Sequence, residues 1–378
     1  MSHTGNVVIL GAGQAAAQAI VSLRQEGYGG PIALIGGEPF LPYQRPPLSK
    51  AFLAGDLARD RLLLRPREFY ERAGVELMLG TPAVEIDRRA AQVVLADGRR
   101  IGYETLLLTT GGRPRRLDCP GAGMAHYLRG IADAEALGER LRPGARLAIA
   151  GGGYVGLEVA AVAVKKGLDV TVVEFAERVL ARVACAELAE FYEKMHRAAG
   201  VRIVTGAAVT ALERVDGGIR LSTREGGAIE ADFVLAGIGL LPNVELAEAA
   251  GIACENGIAV DEQGRTSVPG IYAAGDCTSH PNAIYGCNLR LESVHNAVEQ
   301  ARSVAAAICG KSRPYRQVPW FWSDQYGVKL QTAGIGRGYD RTVLRGDPES
   351  QKFAVFYLKE GRLLAVDAVN RTAEFMGA

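Results

Sequence analysis

Two glycine-rich turns constrain the fold of this 378-residue chain more than any other feature. The first, Gly11-Ala12-Gly13-Gln14-Ala15-Ala16, follows the short apolar run 7–10 and opens a helical stretch that ends near Gln25. The apolar run 32–35 comes next, and Glu38 lies just beyond it. A Gly-x-Gly-x-x-Gly/Ala turn between a buried strand and a helix, with an acid after the second strand, predicts a βαβ unit that binds a dinucleotide.

The same arrangement recurs in the middle of the chain. The apolar run 147–150 leads into Gly151-Gly152-Gly153-Tyr154-Val155-Gly156, and a helical stretch follows to about Lys166. The run 170–173 then ends at Glu174. A single copy would be weak support, because glycines also end strands that bind nothing, whereas two complete copies predict two dinucleotide-binding domains.

The residue types in each turn follow from what a dinucleotide requires. Gly11 and Gly151 permit the tight turn. Gly13 and Gly153 lack the Cβ that would hold a pyrophosphate away from the backbone, and Ala16 stands at a third position where alanine is tolerated. The helix N-terminus presents free N–H groups to the pyrophosphate, and the acid accepts hydrogen bonds from the ribose hydroxyls.

Two later segments indicate that the chain returns to its first domain. One is 109–112, which follows the apolar run 106–108. The other is 270–276, which ends in Gly275-Asp276 and so places a carboxylate at the carboxyl end of a strand, where ligands of open α/β sheets bind. The predicted topology is therefore a first domain that a second domain interrupts.

The predicted fold class is α/β, with two Rossmann-like dinucleotide-binding domains, the second inserted in the first, and a small C-terminal α+β domain. The predicted boundaries are 1–112 with 244–318, then 113–243, then 319–378. The last segment contains both tryptophans and the strand-like runs 329–333, 353–358 and 363–366. Because it is short for an independent core, we expect it to pack against the first domain.

The charge balance and the cysteines exclude several classes of protein. Lys plus Arg (43) and Asp plus Glu (42) leave a net charge of +1, which argues against a nucleic-acid partner. No apolar stretch approaches the roughly 18 residues of a membrane span. The run 7–10 goes straight into Gly11, unlike a signal peptide. Six cysteines include no Cys-x-x-Cys and no zinc-ligand cluster, so we expect reduced thiols in the cytoplasm and no metal site.

Five further blocks give the sequence a specific resemblance that covers essentially the whole chain. They are Pro42-Tyr43-Gln44-Arg45-Pro46-Pro47-Leu48-Ser49-Lys50, Tyr127-Leu128-Arg129 before Asp133-Ala134, Gly237-Ile238-Gly239-Leu240-Leu241-Pro242-Asn243, Arg290-Leu291-Glu292-Ser293-Val294-His295-Asn296, and Trp320-Phe321-Trp322-Ser323-Asp324-Gln325. In these blocks the chain resembles the ferredoxin reductases of the two-dinucleotide-binding-domain flavoprotein superfamily, such as putidaredoxin reductase and the reductase components of Rieske dioxygenases. That family usually continues past Arg371 through a longer terminal segment, whereas this sequence ends at Ala378, so the contacts of that segment stay open.

The resemblance implies FAD at the first turn and NADH, as substrate, at the second. Hydride then passes to the flavin, which releases single electrons to a [2Fe–2S] ferredoxin. The ferredoxin in turn supplies a bacterial oxygenase, either a Rieske dioxygenase or a cytochrome P450, as in the catabolism of aromatic hydrocarbons. In such an enzyme the cofactor carries the chemistry, and the protein supplies position and electrostatics.

The resemblance also implies the residues of each site. Those for FAD are Gly11, Gly13, Ala16, Glu38, Arg45, Lys50, Ala83, Arg129, Gly275, Asp276, Val294 and Trp322. Those for NAD are Gly151, Gly153, Tyr154, Val155, Gly156, Glu158, Glu174, Ile238 and Gly239. Lys50, Glu158 and Trp322 are the residues implied to serve the chemistry itself.

Three of these residues carry specific expectations. Glu174 would accept both ribose hydroxyls of NAD and repel the 2′-phosphate of NADP, with no nearby basic pair to counter it, although it could be a solvated acid at a helix cap. Lys50 and Glu158 would meet beside the flavin and the nicotinamide, where a cation favours the reduced flavin. The alternative is a surface lysine and an acid stabilised by the helix dipole.

Other residues are harder to assign. Trp320 and Trp322 would face one side of a strand, with Trp322 the better candidate for the flavin edge. His295 is interpreted as a helix histidine without a catalytic role. The basic residues Arg313 and Arg316 could steer an acidic ferredoxin or belong to an ordinary solvated face.

The cysteines help to choose among the functions that stay open. Disulfide reductases of this superfamily use a close cysteine pair beside the flavin, and the sequence contains none, which favours single-electron transfer. One alternative is a reductase of rubredoxin or of another small redox protein, with the same hydride half-reaction. The other is a non-catalytic redox-sensing flavoprotein, which the net charge of +1 disfavours.

Overall fold

The computed structural model describes residues 5–377. The α-helices of this part of the chain are α1 (Gln14–Gln25), α2 (Ala51–Ala54), α3 (Arg67–Arg72), α4 (Ile131–Gly138), α5 (Tyr154–Lys165), α6 (Ala186–Ala198), α7 (Glu245–Ala249), α8 (Val294–Ile308) and α9 (Thr372–Met376). Short 3-10 helices cover Pro46–Ser49, Arg59–Leu62 and Ala122–Met124. None of the helices described is long and apolar enough to cross a membrane.

The strands of the amino-terminal part are β1 (Val7–Leu10), β2 (Ile32–Gly36), β3 (Val75–Leu79), β4 (Ala83–Asp87), β5 (Gln92–Leu95), β6 (Arg100–Gly102), β7 (Thr105–Leu108), β8 (Gly112–Pro114) and β9 (Ala125–His126). Those of the middle are β10 (Arg146–Ala150), β11 (Asp169–Val173), β12 (Arg202–Val204), β13 (Val209–Val215), β14 (Gly218–Thr223), β15 (Ala228–Ala231), β16 (Phe233–Ala236) and β17 (Leu240–Pro242). Those of the carboxyl-terminal part are β18 (Ile258–Ala259), β19 (Ile271–Ala273), β20 (Thr278–Asn282), β21 (Cys287–Leu289), β22 (Trp320–Gln325), β23 (Val328–Gly334), β24 (Arg341–Asp347), β25 (Lys352–Lys359) and β26 (Arg362–Val369).

The chain divides into two compact units, each built from three segments. The first unit comprises 5–44, 62–113 and 241–319, and the second comprises 45–61, 114–240 and 320–377. The predicted boundaries of three separate domains stay a prediction. The predicted α/β fold class is confirmed, because each unit contains a five-stranded sheet of parallel strands.

The first unit is organised around the sheet β19-β7-β1-β2-β3, whose strands all run parallel. Strand β1 is apolar throughout because both of its faces are covered. Val7 and Ile9 pack with residues of α1 and α8 on one face, and Val8 and Leu10 pack into a separate apolar cluster on the other.

The second unit combines two sheets. The parallel sheet β12-β11-β10-β16-β9 carries the second glycine turn, and the antiparallel sheet β22-β23-β26-β25-β24 contains the C-terminal strands. One apolar cluster joins them, in which Leu157 of α5 packs with Leu330 and Phe353, and the rings of Phe191 and Phe353 lie 4.9 Å apart. The C-terminal strands therefore contribute to the core of the second unit. For this core, the expectation that residues 319–378 pack against the first domain is wrong.

A buried aspartate ties the C-terminal sheet to helix α6. Asp367 is 1% exposed. It accepts hydrogen bonds from Thr332 Oγ1 at 2.5 Å and from the hydroxyl of Tyr357. The same tyrosine hydroxyl accepts from the backbone N–H of Cys185, the N-cap of α6, at 3.0 Å. Burial raises the pKa of the Asp367 carboxyl to about 6.

Asp367 should make the stability of the protein depend on pH. An ordinary aspartate titrates near 3.9, so between about pH 4 and 6 the folded protein holds a proton that the unfolded chain has released. Raising the pH through that interval therefore lowers the free energy of unfolding by about 3 kcal/mol. We expect urea denaturation to show the Asp367→Asn variant gaining about that much relative to wild type between about pH 4 and 8. A difference that does not change with pH would contradict the assignment.

Candidate functional site

The predicted FAD residues of the first unit cluster at one edge of its sheet. Gly11 follows β1, Glu38 follows β2 and Asp276 follows β19, while Thr109, which was not among the predicted residues, follows β7. Because these strands are parallel and adjacent, the residues after their carboxyl ends meet at the same edge. This edge also receives the N-terminus of α1.

The glycines of the first turn leave space where a pyrophosphate would approach. Gly11 has a φ of +104°, and a Cβ there would lie 2.2 Å from the carbonyl oxygen of Thr109, so this position requires glycine. Gly13 has ordinary extended backbone and caps α1 without any side-chain hydrogen bond. A Cβ at Gly13 would meet no atom within 4 Å. The turn therefore fits a pyrophosphate at the helix N-terminus.

Two carboxylates flank this turn. The hydroxyl of Tyr43 donates to Glu38 Oε2 at 2.6 Å, which orients the acid predicted to bind the ribose. Gly275 has a φ of +90°, and a Cβ there would lie 3.3 Å from the Cβ of Ala15. The close approach brings the strand that precedes Asp276 against the first turn of α1.

The remaining predicted FAD residues have the following places. Ala16 is fully buried in α1, Ala83 begins β4, and Val294 begins α8. In the second unit, Arg45 Nη1 donates to the carbonyl oxygen of Arg129 at 2.7 Å, so the structure brings these two predicted residues together.

The second glycine turn has the same construction within the second unit. A Cβ at Gly151 would lie 2.4 Å from the carbonyl oxygen of Gly237, and one at Gly156 would lie 2.2 Å from that of Gly151. Gly153 is extended and caps α5 without a side-chain hydrogen bond, and the nearest atom to a Cβ there is 4.0 Å away. Val155, in the first turn of α5, is 44% exposed. This turn therefore also fits a dinucleotide phosphate.

Glu174 is held against that turn. Its Oε2 accepts from the backbone N–H of Gly152 at 2.6 Å, and its Oε1 accepts from the N–H of Ala176 at 2.8 Å. Ile238 and Gly239 follow the adjacent strand β16, and Gly239 has a φ of +115°. The structure thus gathers the predicted NAD residues at the carboxyl ends of β10, β11 and β16.

The sequence-based prediction of the NAD site overlooked two arginines, Arg178 and Arg182, although they follow Glu174 by only four and eight positions. Arg178 Nη1 is buried and has no hydrogen-bond partner among residues 5–377. The guanidinium of Arg182 lies against Gly239, where an added Cβ would be 3.4 Å from Nη2. Two positive charges therefore lie on the loop that follows the predicted specificity residue Glu174.

We predict that Glu174 sets the preference for NADH. Glu174→Gln retains one carbonyl oxygen but removes the charge that repels a 2′-phosphate, and the nearby arginines then favour NADPH. The ratio of kcat/KM for NADH to that for NADPH should fall at least about tenfold, or about 1.4 kcal/mol. The exposed Glu177 is the control, since Glu177→Gln should leave the ratio unchanged. Equal ratios in the two variants would refute the role of Glu174.

Lys50 and Glu158 come together inside the second unit. Lys50 Nζ lies 2.6 Å from Glu158 Oε2, and Glu158 is only 4% exposed. The carboxylate also accepts from the hydroxyls of Ser49 at 2.5 Å and Ser323 at 2.6 Å. Glu158 is therefore a buried, fully engaged acid rather than a solvated one at a helix N-terminus.

The aromatic segment of β22 has two different faces. Trp320 and Trp322 lie on one face with ring centroids 5.4 Å apart. Phe321 points to the other face, where its ring centroid is 4.7 Å from that of Tyr154. The strand thus links the predicted flavin residue Trp322 with the predicted NAD residue Tyr154, although the role of each stays a prediction.

No two cysteines among the described residues 5–377 are joined in a disulfide. All six cysteines are free thiols. Burial raises the pKa of Cys185 to about 11, and it also raises that of Cys277. Such thiols stay protonated and are poor nucleophiles. His295 lies in α8, and burial lowers its pKa, which keeps the ring neutral.

The basic cluster before the tryptophans is paired with acids. The three ion pairs are Lys311 with Glu26 at 2.8 Å, Arg313 with Glu299 at 3.5 Å, and Arg316 with Glu262 at 3.0 Å. Each pair cancels the charge that would act at a distance. This favours the interpretation of an ordinary solvated face over that of a steering patch.

A family model described as pyridine nucleotide-disulphide oxidoreductase matches residues 5–301. The chain belongs to this family. A second model, described as reductase C-terminal, matches residues 320–378. The chain is therefore an oxidoreductase, and its membership confirms the predicted use of FAD and NADH.

Individual relatives show which enzymes of this family the chain is similar to. The chain is 45% identical to a ferredoxin–NAD(P)(+) reductase of a Sphingomonas species, over 98% of this chain and 91% of the relative. It is 41% identical to a rubredoxin–NAD(+) reductase of Pseudomonas putida, over 96% and 95% of the two chains. The crystal structure of a covalent putidaredoxin reductase–putidaredoxin complex matches with a TM-score of 0.96 at 44% identity, covering 100% of this chain and 92% of that one. The resemblance found in the sequence is confirmed.

Proposed function

We propose that the protein is an NADH-dependent flavoprotein reductase. It passes electrons from NADH through FAD to a [2Fe–2S] ferredoxin, which supplies a bacterial oxygenase of the Rieske or cytochrome P450 type. The observation that carries the proposal is the presence of two complete dinucleotide turns on two separate parallel sheets, without a close cysteine pair in the sequence. The ferredoxin reductases among the relatives support the choice of acceptor.

FAD, when bound, accepts a hydride and gives up electrons one at a time, so it supplies the conversion from two-electron to one-electron transfer. The protein binds it through the N-terminus of α1, with Gly13 allowing the close approach and Glu38 accepting from ribose. Asp276 and Val294, which belong to the same unit, are proposed to complete the site.

NADH is proposed to bind at the second turn, where Gly153 admits the pyrophosphate and Glu174 orients the ribose. Lys50 supplies a fixed positive charge to the nicotinamide end of NADH. Glu158 holds that ammonium in place, with Lys50 Nζ 2.6 Å from Glu158 Oε2. A preorganised charge of this kind lowers the barrier to hydride transfer because no reorganisation is needed during the reaction.

A rubredoxin is the second candidate acceptor, because a rubredoxin–NAD(+) reductase is 41% identical over 96% of this chain. The hydride half-reaction is the same in both cases. Steady-state rates with NADH and each purified acceptor decide between them. A kcat/KM at least about tenfold higher for the [2Fe–2S] ferredoxin is expected, and the reverse order would establish the rubredoxin.

The cysteines should be dispensable for this activity. We expect a variant with all six replaced by serine or alanine to reduce the ferredoxin at a rate within about threefold of wild type, because no thiol takes part in the proposed electron path. A threefold change in rate corresponds to under 1 kcal/mol. The comparison is made on variants that bind a full equivalent of FAD. Loss of ferredoxin reduction in a folded, flavin-loaded variant would refute the proposed electron path.

Free thiols at all six positions also support our assignment to the reducing cytoplasm.

A further inference from the structure

A chain of hydrogen bonds extends from Glu158 to the tip of the β22–β23 hairpin. The hydroxyl of Ser323 donates to Glu158 Oε1 at 2.6 Å, and Gln325 Nε2 donates to Ser323 Oγ at 3.1 Å. Gln325 Oε1 lies 2.7 Å from Nε2 of His196, on helix α6. The hydroxyl of Tyr326 lies 3.1 Å from Nδ1 of the same ring. All five residues belong to the second unit.

The chemistry of these groups fixes the direction of the chain. An amide oxygen can only accept, so His196 must carry its proton on Nε2, and Nδ1 is then free to accept from Tyr326. Every bond therefore donates toward Glu158. His196 is 0% exposed, and burial lowers its pKa, which keeps the ring neutral at neutral pH.

Tyr326 occupies a turn position that is unusual for a bulky residue. Tyr326 has a φ of +52° and forms, with Gly327 at +81°, the two-residue turn of the hairpin. Such turns favour Asn, Asp or Gly at the first position, and a bulky residue there costs about 1 kcal/mol or more. Tyr326 is 38% exposed, and its partial burial raises the pKa of its hydroxyl, so the hydroxyl remains a donor.

The Gln325 amide is the member of the chain that could reverse. A cavity of about 520 Å³ is lined by Lys50, Glu158, Gln325 and Tyr326, among others, although Gln325 is only 2% exposed. If the amide turned over, its oxygen would accept from Ser323, and the Ser323 hydroxyl would no longer donate to Glu158. The Nε2–H of His196 prevents this, because only the amide oxygen can face it.

We propose that His196 is a positioning residue for the Lys50–Glu158 pair, which it reaches by locking the orientation of the Gln325 amide. This inference rests on the proposed function, in which that pair serves hydride transfer. His196 contacts neither member of the pair. Its effect is expected on the rate of the chemical step and not on the affinity for NADH.

The test begins with the wild-type holoenzyme. Nitrogen-15 NMR of the histidine side chains should show His196 as the neutral Nε2–H tautomer. An Nδ1–H tautomer would overturn the proposal, because Nε2 could not then donate to Gln325. This measurement does not depend on turnover.

Anaerobic stopped-flow reduction of the bound flavin by NADH supplies the second readout. His196→Leu should lower the limiting rate about tenfold, the equivalent of one hydrogen bond, and leave the apparent Kd for NADH unchanged. His196→Gln, which offers an amide N–H near the position of Nε2, should restore most of the rate. If His196→Leu does not fold, Gln325→Leu removes the same link.

The matched control is His280→Leu. His280 is 1% exposed, and both of its ring nitrogens have no hydrogen-bond partner within the described part of the chain, so the change removes a buried histidine without breaking a chain. NADH should reduce the bound flavin of this control variant at the wild-type rate. A wild-type rate in His196→Leu, or a His196→Gln variant as slow as His196→Leu, would overturn the proposal. A wild-type protein that NADH fails to reduce would instead overturn the proposed function.

Discussion

Replacing Gly13 by alanine is expected to give a folded protein that is purified with less than a full equivalent of FAD, and replacing Gly153 is expected to give a yellow protein that NADH reduces only at much higher NADH concentrations. Both glycines have extended backbone that alanine adopts readily, and a Cβ at either position has no atom closer than 4.0 Å. The added methyl group would fill the space that a pyrophosphate needs. We expect each affinity to fall at least about 100-fold, or about 2.7 kcal/mol.

The measurements are flavin content after purification for Gly13→Ala and NADH titration of the flavin-loaded protein for Gly153→Ala. Gly29→Ala is the control, since a Cβ there also meets nothing within 4 Å and the residue lies outside both turns. Urea denaturation of the flavin-free proteins should show equal stabilities for all three variants and wild type. A full equivalent of FAD in Gly13→Ala would contradict the placement of the pyrophosphate.

The second large effect is expected at Lys50 and Glu158. Removing one partner of a buried ion pair leaves the other charge uncompensated, which costs about 3 kcal/mol when one partner is partly exposed, as Lys50 is at 19%. Lys50→Met and Glu158→Gln should each lower the free energy of unfolding by about that amount. Each should also slow reduction of the flavin by NADH about 100-fold, as the loss of a preorganised charge does elsewhere.

A double-mutant cycle separates the pair from its surroundings. The Lys50→Met, Glu158→Gln double variant should be more stable than the sum of the single changes predicts, by at least about 1 kcal/mol. The exposed pair Lys194–Glu190 on α6, at 3.0 Å with side chains about two-thirds exposed, is the control and should couple by under about 0.5 kcal/mol. Equal coupling energies for the two pairs would show that the buried pair has no special role.

The two sheets were predictable because their strands are buried on both faces. The apolar runs 7–10 and 147–150 are bounded by glycine, and the structure places strands at Val7–Leu10 and Arg146–Ala150. The helices after them end at Gln25 and Lys165, within a residue of expectation. Local pattern suffices where one strand, one turn and one helix determine each other's positions.

The surroundings of Glu158 were not predictable in the same way. Ser49 and Ser323, which donate to its carboxylate, lie 109 and 165 positions away in the sequence. Serine is common, and no local pattern marks these two. The packing of the C-terminal sheet with α5 also depends on which apolar faces meet. Its short strands alternate apolar and polar residues in the same way whichever element they pack against, so the sequence does not indicate the partner.

The most direct test of the account is the electron balance of a single anaerobic reaction. One equivalent of NADH is added to a small amount of the flavoprotein and an excess of oxidised [2Fe–2S] ferredoxin, and ferredoxin reduction is followed by its absorbance. The account predicts about two reduced ferredoxins for each NADH consumed, because one hydride carries two electrons and each cluster accepts one. Consumption of the NADH with no reduced ferredoxin formed would contradict it.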